Sequence, residues 1–571
     1  MLRYLTAGES HGPALVGIVE GMPAGVPVTP ADLDEHLARR WLGFGRGGRA
    51  KVERDRAQVL GGIRFGHTMG SPVALLLPNA AFEKDRAGWP ETMAVEGTGD
   101  GIERITLPRP GHADLVGAQK YGFDRPPRGP DVRAVIDRSS ARETAMRVAC
   151  CSVARQMLRA LGIEVGSHVV RLGEIGMDDP EDWARARHAR LAEGGARALY
   201  LAADASPVRM LDADLSARAV EHIQATKKAG DTLGGVYEVV ATGVPVGLGS
   251  YVQGDRRLDG RLAQAILSIQ AQKSVEVGDG WRAGRRPGSE IHDPITRDGD
   301  RWGRTSNHAG GVEGGISNGQ PLIVRGTMKP IPTLIKPLAT ADLATGEAQP
   351  TRYERSDVTS VPAASTVAEA TVAWEIAVAL VERYGGDTFE ALRERVEADR
   401  ARGLWPILST RPRSLAMRRF LALLVACAAL PLAAQPLRTA DVVTWRVRAD
   451  RATAGETARV VLDAEIAPGW RLYAVGSPVG IPLSVTLDDL PPGLDALGLR
   501  QSAPREGYDP AFQMAYPYFA ERARLAQRLR VAPGAAPGAR EVSGAVRYAV
   551  CDDSVCLPPA RTTFRVTLEV R

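Results

Sequence analysis

Lysine is absent from this chain after Lys336. Cysteine is scarce, with five among 571 residues, and aromatic residues make up 5%. So few cysteines exclude a disulfide-dense scaffold, and no histidines stand near them at finger-like spacing, so no metal site is expected. The formal net charge is +5 and no long basic run occurs, which excludes nucleic acid as a partner. Neither a Gly-Lys-Ser/Thr phosphate loop nor a dinucleotide fingerprint is present. The apolar run from Phe420 to Leu432 is well short of the ~20 residues that a membrane-spanning helix needs.

What is present is a soluble composition, 44% hydrophobic and 24% charged, in a chain too long for a single core. The composition breaks near residue 400. A linker-like stretch spans 403–416, and the part beyond it is disproportionately aromatic. Met417-Arg418-Arg419, the apolar run, and Ala433-Ala434-Gln435 then follow the plan of a secretory signal peptide, placed in mid-chain. We expect a domain over 1–402, a linker over 403–416, a signal-peptide-like segment over 417–435 and a second domain over 436–571. Two reading frames joined by readthrough, a sequencing slip or a real fusion account for that order; a buried helix over the apolar run is the other reading. Cys150 and Cys151 fall inside a helical pattern and read as small core residues.

In the first domain, chemistry collects in loops. Gly8-Glu9-Ser10-His11-Gly12-Pro13 precedes the strand-like run Ala14 to Val19, which puts an imidazole at a strand end. The helix Asp32–Arg40 leads to the glycine-rich Gly43–Lys51, where Arg46, Arg49 and Lys51 suit either an anion or a solvated basic turn. Pro108-Arg109-Pro110-Gly111-His112-Ala113-Asp114 is a stiff loop presenting a second imidazole, a side chain suited to proton transfer near neutrality. In Arg138-Ser139-Ser140-Ala141-Arg142-Glu143-Thr144, Ser140 and Glu143 have the spacing of a capping box opening a helix to Leu161. Arginines beside a helix N-terminus make a place for a phosphate. Further helices are expected over Ala217–Lys228, Leu262–Ile269, Ser365–Tyr384, and from an Asp387/Glu390 cap to about Arg402. Strands are expected at Val236–Thr242 and Pro321–Gly326. Strands and helices interleave without a regular βαβ spacing.

Taken with Lys329-Pro330-Ile331-Pro332-Thr333 and Arg355-Ser356-Asp357, these motifs stand in order over about residues 1–402 and closely resemble chorismate synthase. The resemblance implies an α/β (α+β) fold of the β-α-β sandwich type peculiar to that family, usually a homotetramer. It implies trans-1,4 elimination of phosphate from 5-enolpyruvylshikimate 3-phosphate, giving chorismate with reduced FMN. By the same resemblance His11 would protonate the departing phosphate, His112 would handle a flavin proton, and Asp357 would assist removal of the C6 proton. Arg138, Ser139, Ser140, Gln270, Ala271, Gly314, Lys329, Pro330, Ile331, Pro332, Thr333 and Arg355 would bind FMN. Arg40 and Arg46 match arginines assigned to NADPH and equally suit the substrate's anionic groups. Flavin reduction by this chain and by a separate flavin reductase both stay open, and the cysteine usage of the first two-thirds reads as cytoplasmic. The sequence departs from the pattern at Arg125–Pro130, an apparent insertion, and at Val358, where proline is usual. An FMN oxidoreductase, or a periplasmic redox protein with an inactive first domain, are the other readings.

Past Gln435, short strands recur: 442–447, 457–466, 483–487, 525–531, 541–550 and 562–570. They predict an all-β, immunoglobulin-like sandwich. Pro468–Tyr473 and Tyr548–Pro559 resemble the N-terminal periplasmic domain of the thiol:disulfide interchange transporter. That resemblance implies redox exchange with periplasmic thiol partners through Cys551 and Cys556; a structural disulfide is the alternative.

Overall fold

The computed structural model describes residues 2–45, 55–83, 88–177, 180–299, 301–352, 357–404, 439–477, 482–488, 490–509, 514–551, 557 and 559–571. The chain divides into two compact units, Met1–Arg413 and Ser414–Arg571. The linker and signal-like segment fall almost wholly outside the described residues.

The first unit is two antiparallel sheets with helices between them. One sheet orders its strands Arg3–Ala7, Ala14–Glu20, Val73–Pro78 and Gln58–Gly61. The other runs Gln272–Val277, Leu322–Met328, Gly235–Thr242, Glu164–Leu172 and Ile175–Gly176. The helix Glu143–Ala160 packs on the first sheet, and Val361–Tyr384 packs on both that helix and the second sheet. Both helices are buried on nearly every side. Their abundant alanines, with Cys150 and Cys151 in the first, let backbones approach from all directions. Gly17 shows how close the layers lie: a Cβ there would stand 2.4 Å from Cys150 Sγ and 2.5 Å from Met146 Sδ. Val361–Tyr384 is long and apolar enough to cross a membrane, but it is the core helix of this unit.

Charge enters this core only in compensated form. Glu369, fully buried on Val361–Tyr384, accepts from Arg39 Nη1 at 2.6 Å, Arg155 Nη1 at 2.9 Å and Arg209 Nη2 at 3.0 Å. Burial alone would raise its carboxyl, but the three guanidiniums hold it well below the usual range. The cluster ties the helix Pro30–Arg40 to both central helices.

Three sequence expectations need correction. No side-chain capping box opens Glu143–Ala160: Ser140 Oγ accepts from the Arg142 N–H at 3.2 Å, while the Glu143 carboxylate accepts from Thr6 Oγ1 at 2.9 Å. That glutamate is taken by tertiary partners, and the chain turns through Ser140 before the helix begins. Phe389–Ala401 is capped by Thr388, whose side chain accepts from the Ala391 N–H, and not by Asp387. A long helical stretch, Pro180–Asp204, broken at Gly194 and Gly195, was not expected at all.

The second unit is all-β. A four-stranded sheet (Val443–Ala449, Thr457–Ile466, Arg522–Val531, Leu494–Gln501) and a three-stranded one (Ser484–Leu487, Gly538–Tyr548, Ala560–Val570) share one core that includes Leu462, Leu525, Leu529, Val546 and Leu568. A further sheet orders Arg505–Asp509, Met514–Phe519, Arg471–Tyr473 and Val550–Cys551. Arg471–Tyr473 and Val550–Cys551 lie in the stretches likened to the transporter domain, while Arg505–Asp509, Met514–Phe519 and Leu494–Gln501 were missed.

Candidate active site

The strand Arg3–Ala7 turns back into Ala14–Glu20 through the loop carrying Ser10 and His11. Gly8 permits that turn: its φ is +101°, and a Cβ there would lie 2.4 Å from the Ala14 carbonyl. Asn79 fixes the loop by donating to the carbonyls of Ser10 and Gly12, each at 3.0 Å. His11 Nδ1 then meets Asp137 Oδ1 at 2.5 Å, and the indole of Trp89 lies 4.5 Å from the imidazole, centroid to centroid. Asp137 belongs to the short helix Arg133–Ser139, whose end leads into the Ser140 turn.

That turn is one wall of a cavity of ≈ 190 Å³ lined by Arg40, Ser140, Arg142, Gln270, Met328 and Asp357, among others. Arg142 and Arg40 share one carboxylate: Asp55 Oδ1 is 2.5 Å from Arg142 Nη1, and Asp55 Oδ2 is 3.7 Å from Arg40 Nη1. With Asp357 also in the lining, two guanidiniums and two carboxylates meet at this wall. Gln270 Oε1 and Arg142 Nε are buried without hydrogen-bond partners among the described residues. A buried donor and acceptor left open beside two guanidiniums suit a polar ligand with anionic groups.

The loop from Lys329 to Thr333 begins one residue past Met328 and is pinned at three points. The Lys329 N–H donates to the Ala271 carbonyl at 3.0 Å, Lys329 Nζ donates to the Gly111 carbonyl, and Thr333 Oγ1 accepts from Arg109 Nη1 at 3.0 Å. Ala271 itself takes a left-handed φ of 66°, a strained position for alanine that sets the turn. The His112 loop is thereby joined to the Lys329 loop. His112 Nδ1 faces Asp114 Oδ1, and Arg109 Nε donates to Asp114 Oδ2 at 2.8 Å. Burial would raise the Asp114 carboxyl, but hydrogen bonds from His112 and Arg109 hold it down at about 2.

Of the residues expected in the site, Arg40, Ser140, Gln270 and Asp357 line this cavity. Ala271 and Lys329 adjoin it through Gln270 and Met328, while Ser139 and Arg138 end the preceding helix. Arg138 donates to the carbonyl of Thr6 at 3.1 Å. Pro330, Ile331 and Pro332 continue the Lys329 loop; the Ile331 carbonyl accepts from Thr232 Oγ1 at 2.8 Å. Gly314 is elsewhere: it lies between Val312–Glu313 and Ile316–Ser317, its carbonyl 3.3 Å from Arg257 Nη1. Arg46, Arg355 and Cys556 lie outside the described residues. Asp55, Asp137 and Asp114 were not singled out from sequence as the partners of Arg142, His11 and His112. Isolated aspartates carry no signal until the fold pairs them. Asp114 alone stood close enough in sequence to His112 to suggest its role.

In the second unit Cys551 is disulfide-bonded. The Tyr473 hydroxyl lies 3.1 Å from Cys551 Sγ, and Tyr516 and Tyr518 pack beside it.

Residues 2–381 match the family model described as chorismate synthase, and residues 440–568 match that described as the N-terminal part of the thiol:disulfide interchange protein DsbD. The chain is 64% identical over 406 residues to the chorismate synthase of Salinibacter ruber (strain DSM 13855 / M31), covering 70% of this chain and 99% of that protein. It is 53% identical over 403 residues to that of Chlorobaculum tepidum (strain ATCC 49652 / DSM 12025 / NBRC 103806 / TLS), covering 70% and 98%. A crystal structure of chorismate synthase aligns at a TM-score of 0.55 and 36% identity, covering 71% of this chain and 98% of that one.

Proposed function

The chain belongs to the chorismate synthase family, and we propose from that premise how its first unit performs the reaction. It is a lyase that eliminates phosphate from 5-enolpyruvylshikimate 3-phosphate to form chorismate, and its family works with a reduced flavin. The observation that carries the residue assignment is the gathering of Arg40, Ser140, Arg142, Gln270 and Asp357 around one cavity.

The residues present fit reduced FMN. Gln270 offers a buried amide oxygen to a ring N–H, and Ser140 with the Lys329–Thr333 loop offers donors to carbonyl and phosphate oxygens. Arg138, Ser139, Ala271 and Arg355 complete the proposed FMN set, from which Gly314, in its separate turn, drops out. When bound, the reduced flavin supplies an electron-rich ring to an elimination whose C–H bond is unactivated. Arg40 and Arg142 hold the anionic groups of the substrate and keep it oriented. His11 delivers a proton to the leaving phosphate oxygen, and acid assistance of this kind contributes about 10²–10⁴ in rate. Asp357, 3.2 Å from Ser360 Oγ, takes part in removing the C6 proton, and His112 holds a proton beside the flavin.

We assign flavin reduction to NADPH or to a separate reductase, and the working assembly to a homotetramer. The first unit works in the cytoplasm; the second would be exported if made separately. Cys551, in a disulfide next to the Tyr473 hydroxyl, supports thiol-disulfide exchange by that second unit. Inorganic phosphate released anaerobically from 5-enolpyruvylshikimate 3-phosphate with reduced FMN tests the main assignment. Release is expected, and its absence would leave a redox protein with an inactive first unit.

A further inference from the structure

Asp137 is an unusual carboxylate. Its side chain is 2% exposed, against 32% for the His11 side chain it contacts. One oxygen, Oδ1, lies 2.5 Å from His11 Nδ1; the other, Oδ2, is buried and has no hydrogen-bond partner among the described residues. The main chain of the same residue accepts from the Ser10 N–H at 3.1 Å, so side chain and backbone of Asp137 both grip the histidine loop. No cation other than the imidazole is within ion-pair distance of that carboxylate among the described residues.

The other histidine has a different arrangement. Asp114 also faces an imidazole through Nδ1, but Arg109 binds both its oxygens, at 2.8 and 3.2 Å, and gives it a backbone N–H at 3.0 Å. Its charge is already matched by a guanidinium. Among the described residues, the Asp137 carboxylate has only His11.

We propose that Asp137 is the positioning residue of His11: it accepts a hydrogen bond from Nδ1–H, fixes the tautomer, and leaves Nε2 as the atom that exchanges a proton with the substrate. The chemistry follows from the donor inventory. An ionised carboxylate only accepts, so the ring nitrogen 2.5 Å from it carries a hydrogen. Trp89, 4.5 Å from the ring at an interplanar angle of 49°, limits rotation of the imidazole about its stem. Nε2 makes no hydrogen bond among the described residues and belongs to the partly exposed side of the pair. As the carbon–oxygen bond to phosphate breaks, its electron pair stays on the leaving oxygen and the Nε2 proton joins it. The neutral ring then keeps its Nδ1 proton on Asp137, ready to be reprotonated at Nε2. Asp137 touches no substrate; it acts through His11, and the inference rests on the proton-delivery role given to His11 above.

The test uses the full chain carrying Asp137→Asn, His11→Ala, and both. Asn keeps the shape but presents an N–H or an amide oxygen in place of a charge. We expect kcat to fall about 10²-fold in Asp137→Asn, with KM and FMN affinity little changed, because the lost function is general-acid catalysis. The double variant should be no slower than His11→Ala. Full activity in Asp137→Asn beside an inactive His11→Ala would overturn the positioning role alone. Full activity in His11→Ala would overturn the role of His11 and the inference with it. Additive losses would mark Asp137 as merely structural. The 15N spectrum of the histidine-labelled wild-type chain gives a readout independent of variant folding. At a pH where the ring is neutral, the resonance lost in His11→Ala should report a proton on Nδ1, and a proton on Nε2 would contradict the proposal.

Discussion

The Ser140 hydroxyl donates to the Ser10 hydroxyl across 3.2 Å, although 130 residues separate them in the chain. This contact joins the histidine loop, at the end of the first sheet, to the turn that opens the central helix. Everything assigned to the cavity depends on that junction. Ser140→Ala keeps the backbone turn but removes both this bond and the acceptor for the Arg142 N–H. Weaker FMN binding, seen as a several-fold higher Kd by fluorescence titration, is the expected outcome, with a loss of about 1 kcal/mol in stability.

Arg142 supports Asp55 from 2.5 Å in a buried setting. Arg142→Met removes one partner of a buried pair, which typically costs about 3–5 kcal/mol. It also removes one of the two guanidiniums that line the cavity. Chemical denaturation should show the loss of stability, and substrate KM should rise more than kcat falls.

The packing of sheet on helix predicts the effect of adding one methyl group. Gly17→Ala would place a carbon against Cys150 Sγ and Met146 Sδ at distances no real Cβ tolerates. Overpacking of this kind costs about 1–3 kcal/mol. A lowered thermal midpoint with unchanged FMN stoichiometry would agree with it.

Two carboxyls set opposite pH responses. Asp114 sits at about 2, below its ordinary 3.8, so its contribution is present above pH 3.8 and is lost as pH falls toward 2. Glu375, on Val361–Tyr384, is raised from 4.5 to about 7, by burial first and by Glu382 as well, while Arg261 opposes the rise. Its protonated form is the stabilising one: the contribution is full below pH 4.5 and is lost as pH rises through about 7. Glu375→Gln should therefore raise the thermal midpoint at pH 8 and leave it little changed at pH 4. Asp114→Asn should flatten acid unfolding between pH 4 and 2.

Thiol chemistry separates the two units. Burial pushes the Cys150 thiol up to about 12 and the Cys151 thiol well above its ordinary value. Neither should react with iodoacetamide in the native chain. Mild reduction should expose Cys551 to alkylation, as peptide mapping would show.

Much of this was legible in the sequence. The C-terminal end of Glu143–Ala160 and both ends of Thr457–Ile466 follow from periodicity and turn residues, and the loops bearing His11, His112 and Ser140 stood out by residue type. What sequence could not give were the partners. Asp55 finds Arg142, and Asp137 finds His11, only through sheet closure and helix docking over gaps of 87 and 126 residues. The long helical stretch Pro180–Asp204 was missed because Gly194 and Gly195 interrupt its pattern. Glu143 misled for a physical reason: its cap-like spacing is real, but Thr6 and Arg147 compete for its carboxylate.

The central claim is a redox-neutral elimination in which flavin is required but not used up. The most direct measurement is the yield of chorismate per FMN, taken anaerobically after a single chemical reduction and with no NADPH present. Many chorismates per flavin, each matched by one phosphate, with the flavin still reduced at the end, is the predicted result. One product per flavin oxidised, or none at all, would contradict it.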